Sequence, residues 1–375
     1  MRPSRMRARF GASAAALAAA ATIAVAPAAP AGAQPPSLPE PNSHGLTLVS
    51  PLGQVGNQPR LVDATLRTAA LLEPRGVTTP ANVSVPVKVR ILLPDGYDPG
   101  RAAPYDVLYL LHGGGGTWQD WSTSGDVIDT IDAADADFDG IVVMPEGGRA
   151  GWYSDWPGKT DGNFAPRWET FHVGQLVPWI DANFNTSGTR SGRAIAGLSM
   201  GGYGALRYAG RHSQLFRAVG AFSAGTDIRP VAAQNTVSDS MWQAGAAIDL
   251  TGIVDGKFRV NPPWFSGIDA RAYRMDTVFG PAAGRAAVNP AQMAAAYNAY
   301  DGNFALYAGG LDGNGGETDI GYWNSQFHTT LTNAGVDHRW CGGAGGHDFA
   351  SWKLYLTDFV DYAYGTATND SECPN

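Results

Sequence analysis

The strongest constraint on this chain is a series of runs that are apolar throughout. YDVLYLL (105–111), GIVVMP (140–145), GRAIAGLS (192–199), RAVGAFS (217–223) and NFALYAG (303–309) show little polar alternation, so as strands they need cover on both faces. VSVPVKVRILL (83–93) and VDHRWC (336–341) extend the series. Amphipathic stretches separate them: WETFHVGQLVPWIDANF (168–184), GGYGALRYAGRH (201–212) and TDIGYWNSQFHTTLTNAG (318–335). This β-α-β-α order predicts an α/β fold, a mostly parallel central sheet flanked by helices. Residues 225–300 break the rhythm with Gly, Pro and the aromatics Trp242, Trp264 and Phe265, and read as a lid-like insertion over the C-terminal edge of the sheet.

The ends of the chain look different. Arg2, Arg5, Arg7 and Arg9 precede an Ala-rich run, and Ala31-Gly32-Ala33 offers the small residues a signal peptidase needs, so 1–33 reads as a signal peptide. Residues 34–45 read as a flexible linker, 46–365 as the folded domain and 366–375 as a tail. The formal charge is −8, and removing the four leader arginines makes it −12. An acidic chain without a basic cluster is not built for nucleic acid or for charge-driven docking on anionic lipid. After the leader no stretch is long and apolar enough to span a membrane. The expected location is therefore outside the cytoplasm, secreted or in the cell envelope. Two cysteines, Cys341 and Cys373, are too few and too far apart in sequence for a zinc site. Export allows them to bridge, but sequence leaves bridged and free thiols both open.

The chemistry is concentrated in AIAGLSMGGYGAL (194–206), where Gly197-Leu198-Ser199-Met200-Gly201 lies between an apolar run and a helix-like segment. A G-x-S-x-G turn in that context presents its serine hydroxyl above the sheet edge, with glycines two positions either side relieving the sharp bend. Such a hydroxyl needs a base, and in hydrolases with this turn the order is Ser, acid, His. Of the downstream histidines, His212, His328 and His338 fall within a helix or strand, whereas His347 sits on a Gly-rich loop opening the last helix. His347 is the expected general base. The acid should follow NFALYAG, in GLDGNGGETDIGYW, where Asp312, Glu317 and Asp319 are available and residue position alone does not choose between Asp312 and Glu317. The oxyanion donors are expected from the Met200 N–H and from the turn His112-Gly113-Gly114-Gly115-Gly116.

Together YLLHGG, PEGGRAGWYSDW, RWETFHVGQLVPWIDANF, GLSMGGYGAL and GGHDFASW resemble the esterase D branch of the α/β-hydrolases, and within it the antigen 85 mycolyltransferases. The likeness spans about residues 104–223 and 303–356. It implies Ser199 as nucleophile, His347 as base, and the N–H groups of Gly114 and Met200 as oxyanion hole. It also implies Glu317 as the acid, because Glu317 and Asn324 keep the family's spacing; Asp312 stays the second candidate. Three positions depart from the mycolyltransferase pattern. His112 replaces an Asp that helps hold the sugar acceptor, Gly202 replaces an Ala, and Gln175 replaces a Glu.

His112, Trp118 and Trp156 are the expected substrate-binding residues, with Trp121 and Trp152 on the same two loops. DADFDGIVVMPE (135–146) matches a calcium-loop pattern through Asp135, Asp137, Asp139, Gly140 and Glu146. It runs straight into an apolar strand, which carries Glu146 away from Asp135, so no metal is expected there. The expected activity is serine-dependent hydrolysis of a carboxylic ester without a cofactor, with a small-molecule or lipid ester as partner. Acyl transfer to trehalose or another envelope hydroxyl is the alternative, and a non-catalytic carbohydrate-binding protein is a third.

Overall fold

A computed structural model describes residues 35–71, 86–157, 165–251, 275–311 and 317–374, with backbone only over 242–251. Ten strands form one sheet: β1 (Leu46–Leu48), β2 (Gly53–Val55), β3 (Gln58–Thr68), β4 (Val87–Leu92), β5 (Val107–Leu111), β6 (Ile141–Pro145), β7 (Arg193–Leu198), β8 (Ala218–Phe222), β9 (Phe304–Ala308) and β10 (Arg339–Gly342). Their order is β1-β3-β4-β6-β5-β7-β8-β9-β10, with β2 against β3. From β6 to β10 neighbouring strands are parallel. The pairings of β1, β2, β3 and β4, including β4 with β6, are antiparallel. Among the described strands the sheet is thus mixed, its parallel part running from β6 to β10 as the apolar runs predicted, with an antiparallel edge added by β1–β4.

Every residue of β5, β6, β7, β8 and β9 is buried, as two-sided cover requires. Strand periodicity divides them between two cores. Val107, Tyr109 and Leu111 join Trp179, Tyr203, Leu206 and Phe327 on one face. Leu108 and Leu110 join Trp121, Trp352, Leu356 and Phe359 on the other. The helices of the first face are α3 (Val177–Asn183), α4 (Met200–Arg211) and α6 (Thr318–Asn333). The second is covered by α1 (Asp120–Thr123), α2 (Val127–Asp132) and α7 (Phe349–Tyr364). Residues 225–300, expected as an insertion, contribute α5 (Val231–Thr251) and short helical turns between Ala282 and Tyr300. Trp264 and Phe265 lie outside the described residues.

The 168–184 stretch is helical but not uniformly α. Thr170–Leu176 forms a π-helix that passes into α3. Pro178 lacks the N–H that would reach the Gly174 carbonyl, so the regular bond series cannot run through this point. The π segment carries His172, which is 4 % exposed. Its Nε2 meets the Glu146 carbonyl at 2.8 Å and its Nδ1 meets the Tyr208 hydroxyl at 2.8 Å. A neutral ring satisfies both, with Nε2–H donating and Nδ1 accepting.

Both ends of the described domain are fastened. The segment read as a flexible linker is tied to α3: Asn183 accepts from Glu40 N–H at 2.8 Å and donates to Glu40 O at 2.9 Å, and Trp179 Nε1 donates to Pro41 O. Backbone polarity, which composition does not reveal, holds it there. The tail is bridged to β10 by Cys341–Cys373, with Cα atoms 5.5 Å apart. The fully buried Arg339 also donates to the Thr368, Ser371 and Glu372 carbonyls. The leader, residues 1–33, lies outside the described residues.

His172 makes the fold acid-sensitive. Burial pushes its pKa down from 6.5 to about 4, so the unfolded chain takes up the proton first. Its contribution is complete above about pH 6.5 and is lost as pH falls toward 4, about 3 kcal/mol at most. The melting temperature should drop across that window, and His172→Gln should flatten this part of the profile. An unchanged slope in the variant would remove His172 as the cause.

Candidate active site

The C-terminal ends of β5, β7, β8, β9 and β10 open on one edge of the sheet, and the candidate catalytic groups leave from there. β7 ends at Leu198, and Ser199 follows with φ 53° and ψ −116°, a conformation that costs an L-residue about 1–3 kcal/mol. Two bonds hold it: Ser199 N–H donates to Phe222 O at 2.8 Å and Tyr203 N–H to Ser199 O at 3.0 Å. The flanking glycines are sterically required. A Cβ at Gly197 would lie 2.4 Å from Gly201 O, and one at Gly201 would lie 2.5 Å from Leu111 O.

His347 arrives from the loop after β10, just before α7, whose first turn is capped by the Asp348 carboxylate accepting from Ser351 N–H. Its Nε2 is 3.0 Å from Ser199 Oγ. The ring stands edge-to-face against Trp352, centroids 4.9 Å apart, and the Trp352 indole N–H donates to the buried Ser223 hydroxyl. Glu317 immediately precedes α6, fully buried, with Oε1 3.6 Å from His347 Nδ1. That separation is too long for a direct hydrogen bond. Among the described residues neither Glu317 oxygen nor His347 Nδ1 has a hydrogen-bond partner. Asn324, seven residues on, is fully buried and donates to Ala224 O at 2.9 Å, fixing α6 beside the strand end after β8. Asp312 lies outside the described residues.

The glycine turn after β5 rests against the elbow. A Cβ on Gly114 would be 3.9 Å from Met200 Cβ. Met200 opens α4, so its N–H has no partner within the helix. Gly115 N–H is instead committed to Arg149 O at 2.6 Å.

His112 is not placed as the sequence reading expected. It is 1 % exposed, with Nδ1 on Gly113 O at 2.8 Å and Nε2 accepting from Gly147 N–H at 2.9 Å. With both nitrogens engaged it supports the glycine turn from below and has no free polar atom for a substrate. Trp156 is also turned inward, 6 % exposed, its N–H on Gly151 O. Trp118 is half-buried, with the Lys88 ammonium 5.1 Å above its ring. Among the described residues, the recess next to Ser199 and Met200 is bordered instead by Trp152, Ile228, Val237, Ile320 and Trp323. Trp152 and Tyr153 both have positive φ, 49° and 47°. That local bend swings the first indole toward the elbow and the second ring into the core, and sequence gives little sign of it.

Beneath the elbow an ionic cluster anchors α4. Glu169 accepts from Arg207 at 2.7 Å and Arg211 at 2.8 Å, and His212 Nε2 lies 2.7 Å away. Burial pushes the Glu169 pKa up, but His212 and the two arginines outweigh it and hold it at about 2. The calcium-like stretch is used differently. Asp139 pairs with Arg101, Glu146 accepts from Gly148 N–H at 2.8 Å, and 141–145 is β6. Among the described residues no cluster of acidic, His or Cys side chains is arranged to hold a metal.

The sheet order and the serine turn at its parallel edge define an α/β-hydrolase. The esterase family model matches residues 81–362, and the chain belongs to that family, in the group that resembles antigen 85. Esterase Rv1288 of Mycobacterium tuberculosis is 48% identical over 143 residues, 38% of this chain and 30% of that protein. Diacylglycerol acyltransferase/mycolyltransferase Ag85B of Mycobacterium leprae is 36% identical over 116 residues, 30% of this chain and 35% of its own length. The chain thus spans about a third of the length of these curated relatives. The crystal structure of Mycobacterium tuberculosis MPT51 shares the fold with a TM-score of 0.53 at 20% identity, over 80% of this chain and 98% of that one.

Replacing the acid separates the two candidates. Glu317→Gln should cut kcat/KM on an activated ester by roughly 10³–10⁴-fold. A buried carboxylate without a hydrogen bond adds little stability, so this variant should melt within a few degrees of the parent. Asp312→Asn should stay within about threefold. The opposite ranking would move the role to Asp312.

Proposed function

We propose that the protein hydrolyses carboxylic esters through an acyl-Ser199 intermediate. The observation carrying this reading is the 3.0 Å approach of His347 Nε2 to the Ser199 hydroxyl. His347 takes the Ser199 proton as Oγ attacks the ester carbonyl carbon, and the oxyanion is held by the N–H groups of Gly114 and Met200. The intermediate collapses as the carbon–alkoxide bond breaks, with His347 returning the proton to the leaving alcohol. Water then attacks the acyl-enzyme, giving its proton to His347. Release of the carboxylic acid restores the Ser199 O–H. Glu317, beside Nδ1, stabilises the imidazolium formed in each half-reaction.

Acyl transfer follows the same path until an acceptor hydroxyl replaces water, and the Ag85B likeness is what supports it. Hydrolysis is favoured because His112, at the position the resemblance gives to acceptor binding, has both ring nitrogens occupied. His347 is also 29% exposed, within reach of solvent water. The Cys341–Cys373 bridge fits an oxidising compartment, which supports 1–33 as an export leader and a secreted or envelope location.

A fluorophosphonate probe should label the protein at Ser199, read by peptide mapping, and Ser199→Ala should abolish both the label and turnover. Labelling at another residue, or full turnover in the alanine variant, rejects the mechanism. Adding trehalose to a p-nitrophenyl ester assay should leave the free acid as the product; acylated sugar would establish transfer.

A further inference from the structure

We infer that the recess beside Ser199 is an acyl-binding site that selects compact, uncharged acyl groups, while the alcohol half of the ester is left nearly unread. This inference rests on the acyl-Ser199 reading above.

The two halves of a bound ester go to different sides. Ser199 and Met200 border the recess, so a carbonyl attacked by Ser199 and held at Met200 N–H lies at its mouth. His347 is not among the recess-bordering residues, and its ring is partly open to solvent. The leaving alcohol takes its proton from His347 Nε2 as the ester bond breaks and must therefore occupy that outer side. The acyl group remains bonded to Ser199 Oγ, on the recess side, until water replaces the seryl oxygen.

Size and polarity then set the class. Among the described residues the enclosed part of the recess is small, and much of its space opens to solvent. A mycolyl or palmitoyl chain does not fit within it. The walls are apolar: Trp152, Ile228, Val237 and Trp323, with Ala233 on α5 the smallest. Trp152 is a fixed wall, 5 % exposed, edge-on to Tyr203 at 5.6 Å, its N–H on Ser240 Oγ at 3.1 Å. Its positive φ is the kind of local strain that persists where a side chain must be aimed. Among the described residues Asp227 supplies the one charge at the recess. It is already neutralised by Arg229 at 2.7 Å and bonded to Asn289, so it offers no counter-charge to a cationic acyl group, and the apolar walls offer none to an anionic one.

The test is a series of p-nitrophenyl esters from acetyl to palmitoyl, with a matched set of butyryl esters of different alcohols. We expect kcat/KM to peak between acetyl and hexanoyl and to fall at least 50-fold by palmitoyl. Across the alcohols, corrected for leaving-group pKa, the spread should be under fivefold. Trp152→Ala should move the peak to longer chains, and Ala233→Phe should move it toward acetyl; the second variant keeps the test alive if the first does not fold. A palmitoyl optimum in the parent, or a peak that neither folded variant moves, overturns the assignment. Fluorophosphonate labelling of Ser199 is read in parallel. Label present with a flat chain profile rejects the recess alone, and label absent rejects the nucleophile itself.

Discussion

The structure depends on how closely the backbone passes itself at the turn between β7 and α4. Gly201 has to sit where a Cβ would be 2.5 Å from the Leu111 carbonyl and 2.6 Å from that of His112. The nucleophile turn and the end of β5 are therefore fixed by one contact, and a larger residue would push both apart. The same packing brings the glycine turn after β5 beside Met200, so the spacing of the two proposed oxyanion donors, the N–H groups of Gly114 and Met200, follows from main-chain contact. Backbone groups placed this way need little reorganisation when charge develops, which is where such donors are worth most.

The rest of the molecule resists the strain of that turn. Ser199 lies in a sparsely populated conformation, and α4 would relax it if free to slide. Glu169 prevents this by holding Arg207 and Arg211 from the neighbouring π-helical region. A buried ion pair of this kind is poor evidence for net stability, since desolvation offsets much of the attraction. Its geometric value is clearer, because breaking one partner leaves an uncompensated charge under the nucleophile's helix. On the opposite side Trp352 links the His347 ring to the buried hydroxyl of Ser223, one residue beyond the strand whose Phe222 carbonyl holds Ser199 N–H.

What could be read from sequence was whatever depended on local pattern. Runs such as VLYLL and AVGAF are buried on both faces and show it by lacking polar residues. β3 was missed because Asp63, Thr65 and Arg67 alternate with Leu61, Val62, Ala64 and Leu66, a one-sided signal weaker than the apolar runs around it. That omission also hid the antiparallel half of the sheet. Ser199 and His347 stand out because a turn motif and a glycine loop surround them. Glu317 needed the family likeness, since three acids share one loop and only three-dimensional reach separates them. His112 and Trp156 were misjudged as substrate contacts for a related reason. A loop sequence does not tell which side of the turn a ring occupies, and a pair of left-handed residues at Trp152–Tyr153 reverses that choice.

Hydrolase and acyltransferase share every step up to the acyl-enzyme, so the family cannot divide them; the surroundings of the base can. Transfer outcompetes water only when an acceptor hydroxyl is held against the base and solvent is kept away, at a cost in binding energy that specific contacts must offset. On the reading proposed here the recess side of Ser199 is enclosed by apolar walls, whereas the His347 side is partly open. The residue best placed by sequence to grip an acceptor, His112, is used up in holding the glycine turn. Converting this site to a transferase would thus require a new polar grip and a cover over His347, a larger change than exchanging one residue for the aspartate of the mycolyltransferase pattern.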